Sequence, residues 1–386
     1  SLFVSCSKEE NNEGNKEEPS YLVSSNVKYA FGEANVEAAF SMPGVEEAVK
    51  NGIVTYKIEY KTKYNNEDII ASGTLTLPDA QGSYPLALIE RGTILSNGDA
   101  PSEGTMPKYE ALAGMGYIVF VPDMIGYGSS KDVLHPYFDY EYTATASVDM
   151  YYAVNEYLDS KENATTTAND KFFITGYSQG GYSAMATYKY IEENNDDINV
   201  TAVGPGAGGY NVMSIVDNVL KEDVYPATIL LAMPMVTYNE LYAKRPLSDL
   251  FNAPYDAQIQ EVIDGEKEWA DIAYSLPTVI KELFKPELVD KLKNGESTFL
   301  TQAIIDNSVH DWAPSKPLVM YHYRPDEIIP IETTRSTLET MQSNGAVNVG
   351  CFEIPQELVT SENQWGAHGA AGFPAILLAF NQFGQY

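Results

Sequence analysis

Three side chains far apart in the sequence are of the types that could act together as nucleophile, base and orienting acid: Ser178, His368 and Asp326. Ser178 is the centre of Gly176-Tyr177-Ser178-Gln179-Gly180-Gly181, a G-x-S-x-G pattern. Its glycines let a strand turn so sharply into a helix that the serine stands on an exposed, strained corner. The bare pattern also fits a Gly-rich turn of no function, so its context decides. The apolar run Phe172 to Thr175 before it suits a buried strand, and Tyr182 to Ile191 after it reads as a helix. A serine hydroxyl is a weak nucleophile at neutral pH and needs a base within hydrogen-bond reach, itself oriented by a third group. The chain has four histidines. His322 falls inside an apolar strand pattern, where a satisfied core or edge position is expected; His310 lies in a polar stretch and His135 in a loop ahead of a helix. His368, in Trp365-Gly366-Ala367-His368-Gly369, follows the last strand on a Gly-flanked loop and is the expected base.

The acid should fall between serine and histidine, at the carboxyl end of a strand. Asp326, directly after the run Leu318 to Tyr323, has that place; Glu327 beside it is the competitor. Acyl transfer further needs N–H donors for the oxyanion that develops on the attacked carbonyl. Gln179, the residue after the nucleophile, supplies one. The other is expected from Gly92 or Thr93, just past the apolar run Leu86 to Ile89.

The elements that must hold these residues follow from periodicity. Val54 to Tyr60 and Ala71 to Leu77 alternate apolar with polar, and Tyr64 to Asp68 between them is a hairpin turn. After Pro85 the strands become continuous apolar runs, Leu86 to Ile89 and Tyr117 to Val121, the mark of strands covered on both faces. Helices are predicted at 108–114, 144–158 and 182–191, strands at 199–203 and 348–354, and helices again at 333–344 and 370–380. Strand and helix alternate, which predicts an α/β fold with a mostly parallel sheet. The alternation stops over 210–312, where helical segments at 212–220, 227–242, 257–262 and 286–292 form an insertion. The expected organisation is residues 1–20 as a tether, 21–209 with 313–386 as the core, and 210–312 as a helical lid or cap. The stretch 23–50, with a helical segment at 36–49, suggests no function.

Composition narrows the function classes. With 54 acidic against 24 basic residues the formal net charge is −30, which repels nucleic-acid backbones and anionic lipid headgroups. No apolar run is long enough to span a bilayer. Neither CxxC nor a His-rich cluster suggests a metal, and no cofactor is expected. The two cysteines, Cys6 and Cys351, are not read as a disulfide. Cys351 sits in a strand-like segment and is expected to be a buried, inert thiol. Ser1-Leu2-Phe3-Val4-Ser5-Cys6 reads as the last part of a secretory signal peptide and resembles the bacterial lipoprotein processing box, in which the cysteine receives the lipid. Ser7-Lys8-Glu9-Glu10 resembles the lysine-plus-acidic signal of surface-exposed bacterial lipoproteins. Both imply an outer-membrane lipoprotein that touches the membrane only through Cys6, on an acidic, solvated tether.

The motifs Gly176 to Gly181, Tyr321-His322-Tyr323-Arg324-Pro325-Asp326-Glu327-Ile328-Ile329-Pro330 and Gly366-Ala367-His368-Gly369 are similar to those of the α/β-hydrolase superfamily. Their order and the helical insertion resemble the fungal secretory lipase family and its bacterial relatives, over about Val54 to Phe380. The resemblance implies an esterase or lipase acting on a small-molecule ester. It also implies an oxyanion-hole role for Thr93 and an insertion that caps the pocket. Arg91 stands where many such enzymes have histidine. Since these residues do not distinguish esters from amides, a serine peptidase of the same fold stays open, as does a surface protein that binds without turnover.

Overall fold

The computed structural model describes residues 20–39, 46–105, 109–160, 166–267, 271–272, 275–296, 298–359 and 366–386. Cys6 and the acidic tether up to residue 19 lie outside them. A single nine-stranded sheet runs in the order β1-β2-β3-β5-β4-β6-β7-β8-β9. Its strands are β1 Leu22–Phe31, β2 Ile53–Tyr64, β3 Glu67–Pro78, β4 Gly82–Glu90, β5 Ile118–Pro122, β6 Thr166–Tyr177, β7 Ala202–Gly206, β8 Leu318–His322 and β9 Val349–Glu353. The first three pair antiparallel, β3 meets β5 antiparallel, and the six strands from β5 to β9 are parallel. The predicted hairpin is present, with Asn65 and Asn66 both at positive φ, 50° and 63°, as a tight two-residue connection requires. The edge strand β1, in a stretch read only as mixed, is a further element.

The continuous apolar runs have the expected cause. Ile118 and Phe120 of β5 belong to one buried cluster and Val119 and Val121 to another on the opposite face; Leu88 and Ile89 of β4 divide likewise. Successive strand residues face opposite sides, so a strand covered on both faces must be apolar throughout. Each buried Phe or Ile of this kind contributes roughly 1.5–3 kcal/mol. Helix α1 is Glu33–Ala39. Two long helices, α2 (Tyr140–Asp159) and α3 (Gln179–Asn194), place Met150, Val154, Ala184 and Met185 in the first cluster. The helix predicted at 108–114 is instead a 3₁₀ segment, Tyr109–Met115.

Between β7 and β8 stands the helical insertion: α4 (Val212–Val219), α5 (Ile229–Tyr238), α6 (Tyr255–Ile263), α7 (Ile280–Leu283), α8 (Pro286–Lys293) and α9 (Phe299–Asp306). Its Ile229, Val236, Phe251 and Phe284 belong to the same apolar cluster as Leu88 and Ile174 of the sheet, so the insertion shares the core of the sheet. After β8 come α10 (Ile331–Ser343), then β9, the short α11 (Gly366–Ala370) and α12 (Gly372–Phe383). Phe380 and Phe383 of α12 cover the second face against Phe173 and Tyr117. Cys351, expected to be buried, is half-buried on the edge strand β9; burial pushes its thiol up.

Candidate active site

Strand β6 ends at Tyr177 and α3 begins at Gln179, leaving Ser178 alone on the corner with φ 60° and ψ −121°. Such a conformation costs a non-glycine residue of order 1–3 kcal/mol and persists only where its surroundings enforce it. Here the Ser178 N–H donates to Gly206 O at 2.9 Å, tying the corner to β7. The helix starts so close to β4 that a Cβ on Gly180 would lie 1.9 Å from the Glu90 carbonyl oxygen. Only glycine allows that approach.

The corner faces His368. The Ser178 Oγ–H donates to His368 Nε2 at 2.8 Å, and His368 Nδ1–H donates to Asp326 Oδ2 at 2.6 Å. The carboxylate at Nδ1 selects the tautomer that leaves Nε2 free to accept a proton. Asp326 Oδ1 accepts the N–H groups of Ile328 and Ile329, at 2.9 and 2.8 Å, so both oxygens have fixed duties. Burial pushes this carboxyl up, but the imidazole of His368, the nearby His322 and the Ile329 N–H outweigh it and hold it below the ordinary carboxylate range. Two residues expected in a loop are therefore held firmly: Asp326 by its own turn, and His368 by α11.

Glu327, weighed as an alternative acid, does something else. Its Oε1 accepts the Ala367 N–H at 2.8 Å and its Oε2 the His368 N–H at 3.2 Å. Adjacent acids thus grip one residue, Asp326 by the side chain and Glu327 by the backbone. Gly366 has φ 61°, and a Cβ there would lie 1.8 Å from Glu327 Oε1. His322 is a satisfied core histidine, as its strand pattern suggested: Thr334 donates to Nδ1 at 2.7 Å and Nε2–H donates to Ile329 O at 2.9 Å. No hydrogen bond among the described residues joins His310 to this cluster.

Of the expected oxyanion donors, Gln179 follows Ser178 directly at the start of α3. Gln179 N–H, the first amide of α3, has no acceptor within its helix. Gly92 lies beside the nucleophile: a Cβ on it would be 3.9 Å from Ser178 Cβ. Thr93 has its hydroxyl 2.8 Å from that of Tyr137. Behind these groups are two buried side chains to which the sequence assigned no part. His135 Nδ1–H donates to Ile125 O at 2.6 Å, leaving Nε2 to accept from Gln179 Nε2–H, also at 2.6 Å. Burial, helped by the charge of Arg91, pushes its pKa down to about 3, so it is neutral. Arg91 is the second, 2 % exposed. Neither has a local signal; each is defined by a partner distant in sequence or by backbone carbonyls. Among the described residues no three His, Cys, Asp or Glu side chains come together to hold a metal ion.

Residues 108–370 match the family model described as secretory lipase. Among solved structures, a Legionella pneumophila protein provisionally described as a hydrolase superposes with TM-score 0.84 at 24% identity, over 95% of this chain and 98% of that one. The rice cell wall degrading esterase LipA from Xanthomonas oryzae superposes with TM-score 0.77 at 23% identity, over 92% and 94%. Candida antarctica lipase A in its closed state gives TM-score 0.65 at 14% identity, over 88% and 77%. At these identities the likeness establishes the α/β-hydrolase fold. No curated protein sequence matches the chain.

Proposed function

The chain belongs to the secretory lipase family, and is thus a hydrolase of the lipase and esterase kind; from that premise we propose that it cleaves carboxylic esters through an acyl-enzyme on Ser178. One observation carries the reading: the unbroken hydrogen-bond series from Ser178 Oγ through His368 to Asp326, at 2.8 and 2.6 Å. Ser178 Oγ attacks the ester carbonyl as its proton passes to His368 Nε2, and the carbonyl electron pair moves onto oxygen. The amides of Gln179 and Thr93 receive that oxyanion. Its collapse breaks the bond to the alcohol, which leaves with the proton from His368. Water, deprotonated by His368, then attacks the acyl carbonyl; collapse of the second oxyanion returns the proton to Ser178 and releases the acid. Asp326 keeps the imidazole in the productive tautomer and offsets its transient charge. Residues 210–312 serve as the cap over the substrate.

The test is fluorophosphonate labelling and ester turnover by the wild type and Ser178→Ala. A wild type that neither labels nor hydrolyses any ester in an acyl-length series, or a Ser178→Ala variant that still does, ends this reading. Aminoacyl amides in the same series separate esterase from peptidase. Family membership points to an exported protein, and among the described residues no helix is long and apolar enough to cross a membrane. For attachment we propose lipidation of Cys6, read by metabolic palmitate labelling that should vanish in Cys6→Ala; label persisting in the variant refutes it.

A further inference from the structure

Arg91 is a buried cation at the carboxyl end of β4 whose guanidinium reaches backbone oxygens. Nη1–H donates to Gly92 O at 2.9 Å, while Nε–H and Nη2–H both donate to Asp123 O, at 3.0 and 2.5 Å. The ring of Tyr127 covers its face, with the guanidinium carbon 4.7 Å from the centroid. A charge this deep is costly unless its donors are all engaged and oppositely charged groups lie near. Asp123 supplies negative potential nearby. Burying a guanidinium merely to cross-link two turns is a poor exchange when an apolar side chain would fill the same volume. Its position suggests more.

In a trans peptide the C=O and the N–H point in opposite directions. Holding the Gly92 carbonyl therefore fixes where the Thr93 N–H aims. A Cβ on Gly92 would be 3.9 Å from Ser178 Cβ, which brings the peptide that Gly92 shares with Thr93 close to the nucleophile. Arg91 does not cross that peptide. It holds it at the carbonyl, so its charge lies on the side of that peptide opposite the Thr93 N–H.

We propose that Arg91 is the positioning residue of the oxyanion hole, locking the Gly92–Thr93 peptide in its donating orientation and adding a buried positive field behind it. The inference rests on the acyl-enzyme reading above and assigns the hole's second donor to Thr93 N–H. Because the oxyanion exists only in the tetrahedral states, the interaction should act on turnover and not on ground-state binding.

The experiment compares wild type, Arg91→Met and Arg91→Lys on a short-chain p-nitrophenyl ester. A trifluoromethyl ketone serves as the probe, because its hemiketal on Ser178 puts an oxyanion in the hole. Arg91→Met is expected to lose about 10² in kcat, the scale of removing one oxyanion donor, with KM changed less than about threefold. Ketone affinity should fall in the same ratio as kcat/KM. Arg91→Lys, which keeps charge without the fork, should recover about tenfold of the loss. Arg91→Met with kcat within about threefold of wild type, a loss confined to KM, or undiminished ketone affinity overturns the proposal. If Arg91→Met does not fold, Arg91→Lys decides: kcat about tenfold below wild type at unchanged KM supports it, and wild-type kcat overturns it. Fluorophosphonate labelling separates the failures. An unlabelled wild type sinks the serine-hydrolase reading itself, whereas a labelled wild type with an indifferent Arg91 sinks only this inference.

Discussion

Replacing Asp326 by Asn tests the orienting role with little change of shape. Asp326 Oδ1 accepts two backbone N–H groups, from Ile328 and Ile329, and Oδ2 accepts from His368 Nδ1. An asparagine must choose which position receives its NH₂. Turned toward Ile328 and Ile329, the NH₂ would oppose two buried donors and leave both unpaired, at about 1–3 kcal/mol each. The oxygen therefore stays at the Oδ1 position and the NH₂ faces Nδ1. His368 Nδ1 must then become an acceptor, which moves its proton to Nε2, where it can no longer take one from Ser178. A loss of about 10⁴ in kcat is expected, the scale of such a tautomer reversal, equivalent to about 5.4 kcal/mol in the barrier. Since both turn bonds survive unchanged and the His368 contact survives with reversed polarity, the melting temperature should stay near that of wild type, and KM likewise. Steady-state kinetics, differential scanning calorimetry and the fluorophosphonate labelling rate measure this. A kcat within about tenfold of wild type refutes the argument, as does a loss matched by collapse of the fold.

Glu327→Gln removes one of the two acceptors holding the backbone of α11, leaving the Ala367 or His368 N–H facing an NH₂. It should cost about 1–3 kcal/mol of stability and lower kcat through His368 placement; unchanged thermal melting and kcat would contradict the clamp. His135 has an ordinary pKa of 6.5 and a native one of about 3, so between those values the unfolded state binds the extra proton and stability falls as pH falls. His135→Gln should abolish that part, worth a few kcal/mol, and urea melts at pH 7 and pH 4 should show the gap from wild type narrowing on acidification; a constant gap refutes it. Glu90 behaves oppositely, raised from 4.5 to about 7 by burial, against hydrogen bonds from Ser147 and Thr187 that lower it. Its native form holds the proton more tightly, so stability falls as pH rises through that window. Glu90→Gln should gain on wild type between pH 4.5 and 8, by up to about 3 kcal/mol, and no pH dependence in the difference would be the contrary result.

Legibility in the sequence followed the range of the interaction responsible. The strand–serine–helix corner is written in contiguous residues, and the order of Ser178, Asp326 and His368 follows from strand ends, so all three could be named. The hairpin at Asn65 and Asn66 is local turn chemistry, equally legible. Strand β1 was not read because its pairing with β2 is interrupted between Leu22 and Ser24 and between Val27 and Tyr29, which breaks the period of two. Helix α9 opens on a capping box made by Thr298 and Thr301, without the usual Glu or Gln at its third position. Gly366 and Gly369 around His368 suggested a loop; the short helix there is held by Glu327 from another part of the chain. His135 and Arg91 acquire their roles only through folding, the first from Gln179, 44 residues away.

The insertion is tied to this machinery by bonds that limit how a cap could move. Thr237 of α5 accepts the Tyr137 N–H and donates to His135 O, both at 3.1 Å, and Tyr238 donates to Phe138 O at 2.8 Å. Both side chains are buried, and the segment they hold carries His135 to Gln179 and Tyr137 to Thr93. On the other side Tyr225 donates to Ile328 O at 3.3 Å, in the turn that grips Asp326. Moving α5 as a body would break its bonds to Tyr137 N–H, His135 O and Phe138 O, and so loosen the segment that meets both Gln179 and Thr93, the proposed oxyanion donors. α5 is therefore scaffold for the 135–138 segment, although its sequence belongs to the insertion. If the insertion caps the site as proposed, any opening for substrate falls to the described segments of the insertion that do not share these bonds, and not to α5.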